Sequence, residues 1–345
     1  MIDFRYHLVS IVAVFLALAI GIVLGSTELQ GPAFSLLDKT TSKLQNELGQ
    51  VSSQRDTAQQ QATEGEMYAQ AVEPAVLHDL LTGHRLLIVT EPGAQSSVVS
   101  GITSAAIHAG ATVTGQINLQ PKFFDTSGTA QDSLNQTTLA VAQPTGLQLD
   151  ASATYQQQAA QLIASEILTS TPGSAAGETG GNQGTSTDAS TMLQAYAASQ
   201  FLSTSGQPAT PASLAVVVTP QTAPSDGSAD QLAQVLIPLA QELAAKSAAT
   251  VVVGSSTGSG AGSPIAVLRS NNVSSQVSTV DDADLAAGQT VAMQALAVEL
   301  AGGKAGSYGF TANGATAIAP SPAPSASASA TPSSSTSTKK KKASR

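Results

Sequence analysis

A cluster of three aspartates is the first group in this sequence whose residue type and spacing suit chemistry. Asp281, Asp282 and Asp284 follow a short stretch with the alternation of a β-strand. The surrounding residues lack the spacing of an EF-hand loop, so no calcium motif is present. Acidic side chains are favourable in the first turn of a helix, where they oppose the positive end of the helix dipole. We therefore interpret the cluster as helix capping, with cation binding as the alternative.

The residues that bind transition metals are scattered along the chain. No two of the histidines, His7, His78, His84 and His108, stand one helical turn apart or at alternate positions of a strand. The chain has no cysteine, which excludes disulfides, thiolate zinc sites and cysteine nucleophiles. Cu(I) prefers clusters of Cys or Met, and the 4 methionines form none. The residues alone therefore predict no cofactor, leave any metal ligands unknown, and favour surface or helix-end histidines.

A glycine-rich stretch, GSSTGSGAGS at 254–263, is the one candidate for a phosphate-binding loop. It lacks the lysine of a P-loop, and Ser263 stands where a dinucleotide-binding motif would have its third glycine. The residues after it look extended, whereas a phosphate loop needs a helix N-terminus behind it. We interpret the stretch as a flexible loop. No G-x-S-x-G motif is present either, so we expect no enzyme activity.

The composition and charge of the chain narrow the classes of partner. The net charge is −9 and the predicted helices and strands carry no basic patch, so we expect no nucleic-acid binding. The terminal lysine run at 339–342 suits an anionic surface or a solvated tail end. Hydrophobic residues make up 42% and aromatic residues 3% of the chain, which suits a moderate α/β core with polar loops.

An apolar run near the N-terminus is the first structural element that the sequence predicts. Leu8 to Leu24 is 17 residues with one polar side chain, Ser10, which is only just the length that a helix needs to cross the hydrocarbon core of a bilayer. A buried core helix would show a polar face, and a cleaved signal peptide would show a better cleavage site. We therefore favour an uncleaved membrane anchor within 1–29. The side chains predicted to face lipid are Leu8, Val9, Ile11, Val12, Val14, Phe15, Leu16, Leu18, Ile20, Ile22, Val23 and Leu24.

Charges on the two sides of the apolar run bear on the direction in which the chain crosses the membrane. Arg5 precedes the run, and Lys39 and Lys43 follow it. Cytoplasmic flanks carry an excess of Lys and Arg, and here the two flanks are nearly balanced. The short head and large C-terminal part favour a single-pass protein of the cell membrane with most of the chain extracytoplasmic.

Residues 30–73 have the pattern of a coiled-coil helix. Gly31-Pro32 is expected to interrupt the helix before a heptad repeat begins. Most residues between the seam positions are Gln, Ser, Glu and Thr. Such a seam pairs copies of the chain or binds a partner protein, and the alternative is a helix packed on its own domain. The seam residues are Leu37, Thr41, Leu44, Leu48, Val51, Arg55 and Ala58.

Residues 74–318 alternate between strand and helix patterns, which predicts a Rossmann-like or flavodoxin-like, mostly parallel sheet. An insertion near 170–190 and the Pro/Ser/Ala-rich tail at 319–345 have compositions typical of disorder. The predicted strands are Leu86–Thr90, 111–119, Leu214–Thr219, 250–256, 264–270 and 274–280. The predicted helices are 94–110, Ala151–Leu168, Met192–Leu202, Asp230–Ala245 and Gly288–Leu300.

The opening segment, FRYHLVSIVAVFLALAIGIVLGS, resembles the start of the actinobacterial copper transporter family typified by mycobacterial MctB. The order of anchor, coiled coil, α/β domain and low-complexity tail is also similar to that family. The resemblance implies a single-pass envelope protein that acts in copper efflux or homeostasis, with copper as a possible ligand and membrane lipid as a partner. It transfers no copper ligand to this sequence. The alternative is a non-catalytic envelope scaffold or regulator that acts through its coiled coil and its α/β domain.

Overall fold

The fold is taken from a computed structural model that describes residues 4–170, 186–221, 229–256, 262–271, 273–309 and 316. The chain divides into two compact units, Met1–Met67 and Tyr68–Arg345. The tail predicted at 319–345 and most of the insertion predicted near 170–190 lie outside the described residues. The five glycine-rich positions 257–261 lie outside them as well.

Helix α1 runs without a break from Phe4 to Leu77, a length of 74 residues. The interruption expected at Gly31-Pro32 is therefore wrong. Proline removes one backbone donor and costs a helix interior about 3 kcal/mol. A long helix keeps its regular hydrogen bonds on both sides of such a residue, so a single proline need not end it.

Seven strands form one sheet in the second unit, in the order β3-β2-β1-β4-β5-β6-β7. All neighbours pair parallel except β2 with β3, which are antiparallel. The predicted α/β class with a mostly parallel sheet is confirmed. The strands are β1 (Arg85–Thr90), β2 (Thr112–Leu119), β3 (Leu202–Gly206), β4 (Leu214–Val218), β5 (Ala249–Val253), β6 (Ser278–Val280) and β7 (Ser307–Tyr308).

Helices cover both faces of this sheet. They are α2 (Ser96–His108), α3 (Pro121–Phe124), α4 (Gly128–Thr145), α5 (Tyr155–Ile167), α6 (Ser186–Ala198), α7 (Ala229–Lys246), α8 (Pro264–Ser270) and α9 (Ala286–Leu300). Strand β1 alternates between the two faces, as a fully buried parallel strand must. Leu86 and Ile88 share a hydrophobic cluster with α2 and α9, whereas Leu87 and Val89 share the other cluster with α5 and α7.

Helix α8 occupies the segment PIAVLRS, which was predicted as a strand. Pro264 stands at the start of the helix, where its missing donor is not needed. The hydroxyl of Ser263 caps the helix by accepting a hydrogen bond from the amide of Ala266 at 3.2 Å. The apolar run at 264–268 was read as a strand because short apolar runs have no distinctive period.

Helices α3 and α4 and strand β3 were missing from the prediction, and α6 begins and ends earlier than the predicted helix Met192–Leu202. Helix α4 has mostly polar residues, and β3 has the sequence LSTSG with four exposed positions, so neither shows a strong hydrophobic period. Helix α6 begins at Ser186, inside the predicted insertion, and its Ala189 is fully buried. Ile107 of α2 lies on the surface, where it is 60% exposed.

Candidate functional site

The strand order places a topological switch point between β1 and β4. The chain leaves β1 for α2 on one face of the sheet and leaves β4 for α7 on the other face. The two connections therefore diverge and leave a crevice at the carboxyl ends of the strands, where open α/β sheets bind their ligands. The backbone amide of Glu91 donates to the carbonyl oxygen of Val218 at 2.9 Å, which ties the two sides together at the base of this crevice.

Neutral polar side chains line the carboxyl ends of the central strands. The hydroxyl of Thr90 donates to the Asn118 side-chain oxygen at 2.9 Å, and the hydroxyl of Thr219 donates to the Val253 carbonyl oxygen at 3.1 Å. The amide of Gln95, at the start of α2, donates to the side-chain oxygen of Gln221 beyond β4. This contact joins the loop after β1 to the loop after β4, so it spans the crevice.

Glu91 is the acidic residue at this crevice, and it follows β1 directly. Its side chain is 3% exposed, and neither carboxyl oxygen has a hydrogen-bond partner in the described part of the chain. Burial raises the pKa of Glu91 to about 8 from an ordinary value of 4.5. Continued strand alternation places Glu91 on the same face as Leu87 and Val89, the face covered by α7. The crevice thus contains a buried acid that holds its proton near neutral pH.

A half-buried glutamate, Glu299 of α9, shows what a fully hydrogen-bonded carboxylate looks like in this fold. Its oxygens accept hydrogen bonds from the Thr250 amide at 3.0 Å, the Ser278 amide at 3.2 Å and the Ser278 hydroxyl at 2.5 Å. Burial raises the pKa of Glu299, while these hydrogen bonds lower it. Glu299 lies at the amino ends of β5 and β6 and ties α9 to the sheet, which is a structural role. The side chain of Glu91 makes no such bonds to the described residues.

The aspartate cluster does not supply the N-cap residue of a helix, so the interpretation as helix capping is wrong at that position. Helix α9 begins later, with Leu285 as its N-cap residue. Asp281 instead forms a buried ion pair with Arg269 at 2.7 Å. Asp284 accepts hydrogen bonds from the amide and the hydroxyl of Ser256, both at 2.8 Å. The cluster follows β6, and its carboxylates connect neighbouring loops at the carboxyl edge of the sheet.

Arg269 joins α8 to the last two strands of the sheet. Besides Asp281, it donates to the hydroxyl of Thr279 at 3.0 Å and to the carbonyl oxygen of Tyr308 at 2.7 Å. Its side chain is 8% exposed and that of Asp281 is fully buried. A guanidinium group satisfies three acceptors at once because its donors lie in a rigid plane. The pair therefore fixes the β6–β7 edge of the sheet.

The histidines do not converge in the structure. Among the described residues, no three or more His, Cys, Asp or Glu side chains are arranged to hold a metal ion. Burial lowers the pKa of His84. His7 lies exposed in α1, and the other three contact different partners: His78 contacts Asp79 at 3.0 Å, His84 contacts the Ser213 hydroxyl at 3.2 Å, and His108 contacts Glu73 at 2.8 Å.

The predicted anchor lies in the first part of α1. One helix in the described residues is long and apolar enough to cross a membrane, Phe4–Gly25, with 22 residues, a mean hydropathy of 2.9 and no burial. Each large apolar side chain predicted to face lipid is more than half exposed, from 51% at Ile20 to 67% at Phe15. Apolar surface of this extent is typical of a membrane or protein contact.

The predicted coiled-coil seam lies further along the same helix. Its large apolar members are exposed, with Leu37 at 63%, Leu44 at 52%, Leu48 at 65% and Val51 at 62%. Thr41, Arg55 and Ala58 are exposed too. The seam residues therefore pack on nothing within their own unit, and their pairing with another chain stays a prediction.

The sequence-based search missed Glu91 although one signal was present. The strand RLLIVT is followed at once by Glu-Pro-Gly, so an acidic residue stands at the carboxyl end of a buried strand. That position is where α/β sheets place functional side chains. The strand order, which identifies β1 as a switch-point strand, came only from the structure.

Comparisons with known proteins agree with the anchor and the fold. A family model described as "Copper transport outer membrane protein, MctB" matches residues 1–320. Proteins named Copper transporter MctB from Mycobacterium tuberculosis and Mycobacterium bovis are each 27% identical over 320 residues, which cover 92% of this chain and 99% of theirs. The protein of that name from Mycobacterium leprae is 28% identical over 324 residues, with the same coverage. Because the family match spans most of its length, the chain belongs to the MctB family.

Proposed function

We propose that the chain is a single-pass envelope protein that acts in copper efflux or homeostasis. The observation that carries the proposal is the combination of family membership over residues 1–320 with a fully exposed apolar helix at Phe4–Gly25. Relatives of this family are named copper transporters. The α/β domain takes no catalytic part, and membrane lipid is the first partner of the anchor.

Copper content of cells tests this proposal directly. Deletion of the gene is expected to raise cell-associated copper, measured by mass spectrometry of washed cells grown with added copper. The full chain should restore the wild-type copper level, whereas a chain that lacks Phe4–Gly25 should not. Unchanged copper in the deletion strain, with zinc and iron as internal controls, would overturn the proposal.

The proposed topology places the α/β domain outside the cytoplasm. The large unit that follows the helix, Tyr68–Arg345, supports this direction. Alkaline phosphatase fused after position 309 should be active, and green fluorescent protein fused at the same place should be dark. The reverse pattern would place the domain in the cytoplasm and refute the topology.

The exposed seam on α1 favours a second function, a non-catalytic scaffold that self-associates. Two copies anchored in one membrane must pair parallel and in register, because both helices leave the membrane in the same direction. Leu44 of one chain would then pack against Leu44 of the other chain, and the same holds for Leu48 and Arg55. Arg55 is held by Asp56 at 2.8 Å on the exposed surface of the helix. Its charge at a seam position would set the register at a cost in affinity.

Self-association of the full chain in detergent micelles tests the scaffold function. A Leu→Ala change removes apolar carbon worth about 2 kcal/mol per buried side chain. Leu44→Ala with Leu48→Ala should therefore raise the dimer dissociation constant by more than about 100-fold, measured by analytical ultracentrifugation. The matched control is Asn46→Ala with Ser53→Ala, on the opposite side of the helix. Equal dissociation constants for the two double variants would eliminate the seam as the interface.

A further inference from the structure

We propose that the crevice between β1 and β4 binds a small organic cation, a primary amine, with the carboxylate of Glu91 as its counter-ion. This site goes beyond the copper-related function, and neither the anchor nor the seam takes part in it. Its ligand need not be the transported species. The proposal rests on the position of the crevice, on the contacts of Glu91, and on the neutral groups around it.

The position of the crevice is the first support. Strands β1 and β4 are neighbours whose following helices lie on opposite faces of the sheet. Open α/β sheets bind their ligands at such a point, outside the carboxyl ends of the strands. Glu91 stands at the base of this space, tied by its backbone amide to Val218.

The contacts of Glu91 are the second support. A buried carboxyl is retained in folded proteins when it is paired, hydrogen-bonded or functional. Both oxygens of Glu91 lack a partner among the described residues, although its side chain is 3% exposed. Glu299 of α9, which contacts the same sheet, accepts hydrogen bonds from three donors. The fold therefore gives the Glu299 carboxylate three donors and gives neither oxygen of Glu91 a donor among the described residues.

The chemistry of the surrounding groups identifies the ligand class. The side chains of Thr90, Asn118 and Thr219 at the neighbouring strand ends are neutral, and their bonds are made within the sheet. Lys122 of α3 is the first cationic residue after β2. Its ammonium group donates to the Ser199 carbonyl oxygen at 3.0 Å and not to Glu91. A metal ion needs several ligands, and one carboxylate cannot supply them. A primary ammonium group brings one charge and three donors, which a single carboxylate can match.

Proton release distinguishes this ligand from a neutral one. The empty site holds a proton, because the pKa of Glu91 is about 8. An ammonium group binds the ionised carboxylate, so that proton leaves to solvent as the amine enters. Below pH 8 the apparent affinity should therefore rise about tenfold per pH unit. A hydroxyl ligand would bind the protonated acid and release nothing.

Calorimetry with ethanolamine tests the site on the full chain in detergent micelles. Ethylene glycol is the matched neutral probe, since it differs by a hydroxyl in place of the ammonium group. Titration at pH 7 in two buffers of different ionisation enthalpy gives the protons released. We expect about 0.9 proton per ethanolamine bound, since a group with a pKa of 8 is about nine-tenths protonated at pH 7.

Two variants complete the test. Glu91→Gln keeps the shape and removes the charge, so it should weaken ethanolamine binding at least tenfold and abolish proton release. Asp132→Asn removes the same charge from an exposed position on α4 and should change neither. The proposal is overturned if ethanolamine does not bind the wild-type chain, if Glu91→Gln binds it equally well, or if ethylene glycol binds with the same affinity.

Discussion

Replacement of Glu91 by glutamine is expected to stabilise the α/β domain, and increasingly so as the pH rises. The pKa of the carboxyl is about 8 in the folded chain and 4.5 when exposed. Between these values the unfolded chain releases its proton while the folded chain keeps it. The folded state binds more protons, so the stability of the wild-type domain falls as pH rises. Glutamine has no proton to release and removes this dependence.

The size of the effect follows from the same two values. The carboxyl disfavours the folded state by about 1 kcal/mol at pH 5, about 3 kcal/mol at pH 7 and about 4 kcal/mol at pH 8. Any fixed cost of the buried amide is the same at each pH. The gain in unfolding free energy from Glu91→Gln should therefore grow by about 3 kcal/mol from pH 5 to pH 8.

Urea unfolding followed by near-ultraviolet circular dichroism measures this gain. Tyr196 is fully buried in the α/β domain, so its signal reports the loss of that domain rather than of α1. Glu299→Gln is the matched control, because its new amide would face backbone and hydroxyl donors. At pH 5 it should destabilise the domain by about 1–3 kcal/mol, whereas Glu91→Gln should be close to neutral. A Glu91→Gln gain that stays constant from pH 5 to pH 8 would refute the reasoning.

Two further substitutions test how the carboxyl edge of the sheet is held together. Arg269→Ala leaves the buried Asp281 carboxylate without its cation and should cost about 3–5 kcal/mol in urea unfolding, while Arg269→Met with Asp281→Leu should cost less. A smaller loss for the single variant than for the double variant would contradict this. Gly288→Ala would place a Cβ 1.9 Å from the carbonyl oxygen of Asp282, so α9 must shift and the melting temperature should fall by several degrees. Gly128→Ala, where no atom lies within 4 Å of the added Cβ, should leave it unchanged.

The fold was predictable from sequence where the hydrophobic pattern was strong. Strands β1, β4 and β5 are continuous apolar runs, and α7 carries apolar residues at helical spacing, so their types and bounds were close to those observed. Polar elements such as α4 and β3 were missed, because they have few buried positions and their apolar residues do not recur with the period of a helix or a strand. Pro32 was read as a helix end, although a long helix can absorb one lost hydrogen bond.

The candidate site was less predictable because its parts are distant in sequence. Glu91 and Gln221 meet at one crevice only because β4 returns beside β1 after more than a hundred residues. The local sequence places Glu91 after a strand and Glu299 in a helix, but it does not show which of the two carboxylates has hydrogen-bond donors around it. The difference between them lies in the donors that surround each one, which depends on strand order and on loop geometry. The aspartate cluster was misread for the same reason, since Arg269 lies on a different element.

The stability cost of Glu91 and its proposed ligand are two sides of one linkage. A ligand that binds only the folded chain raises the unfolding free energy by about 3 kcal/mol at 100 times its dissociation constant. Ethanolamine at that level should therefore offset most of the cost of the ionised carboxyl at pH 8, and less at pH 5, where the proton competes. The wild-type chain should show this pH-dependent stabilisation and Glu91→Gln should show none. Stabilisation of both chains to the same extent would mean that the amine binds elsewhere, and Glu91 would then be only a destabilising acid in the core.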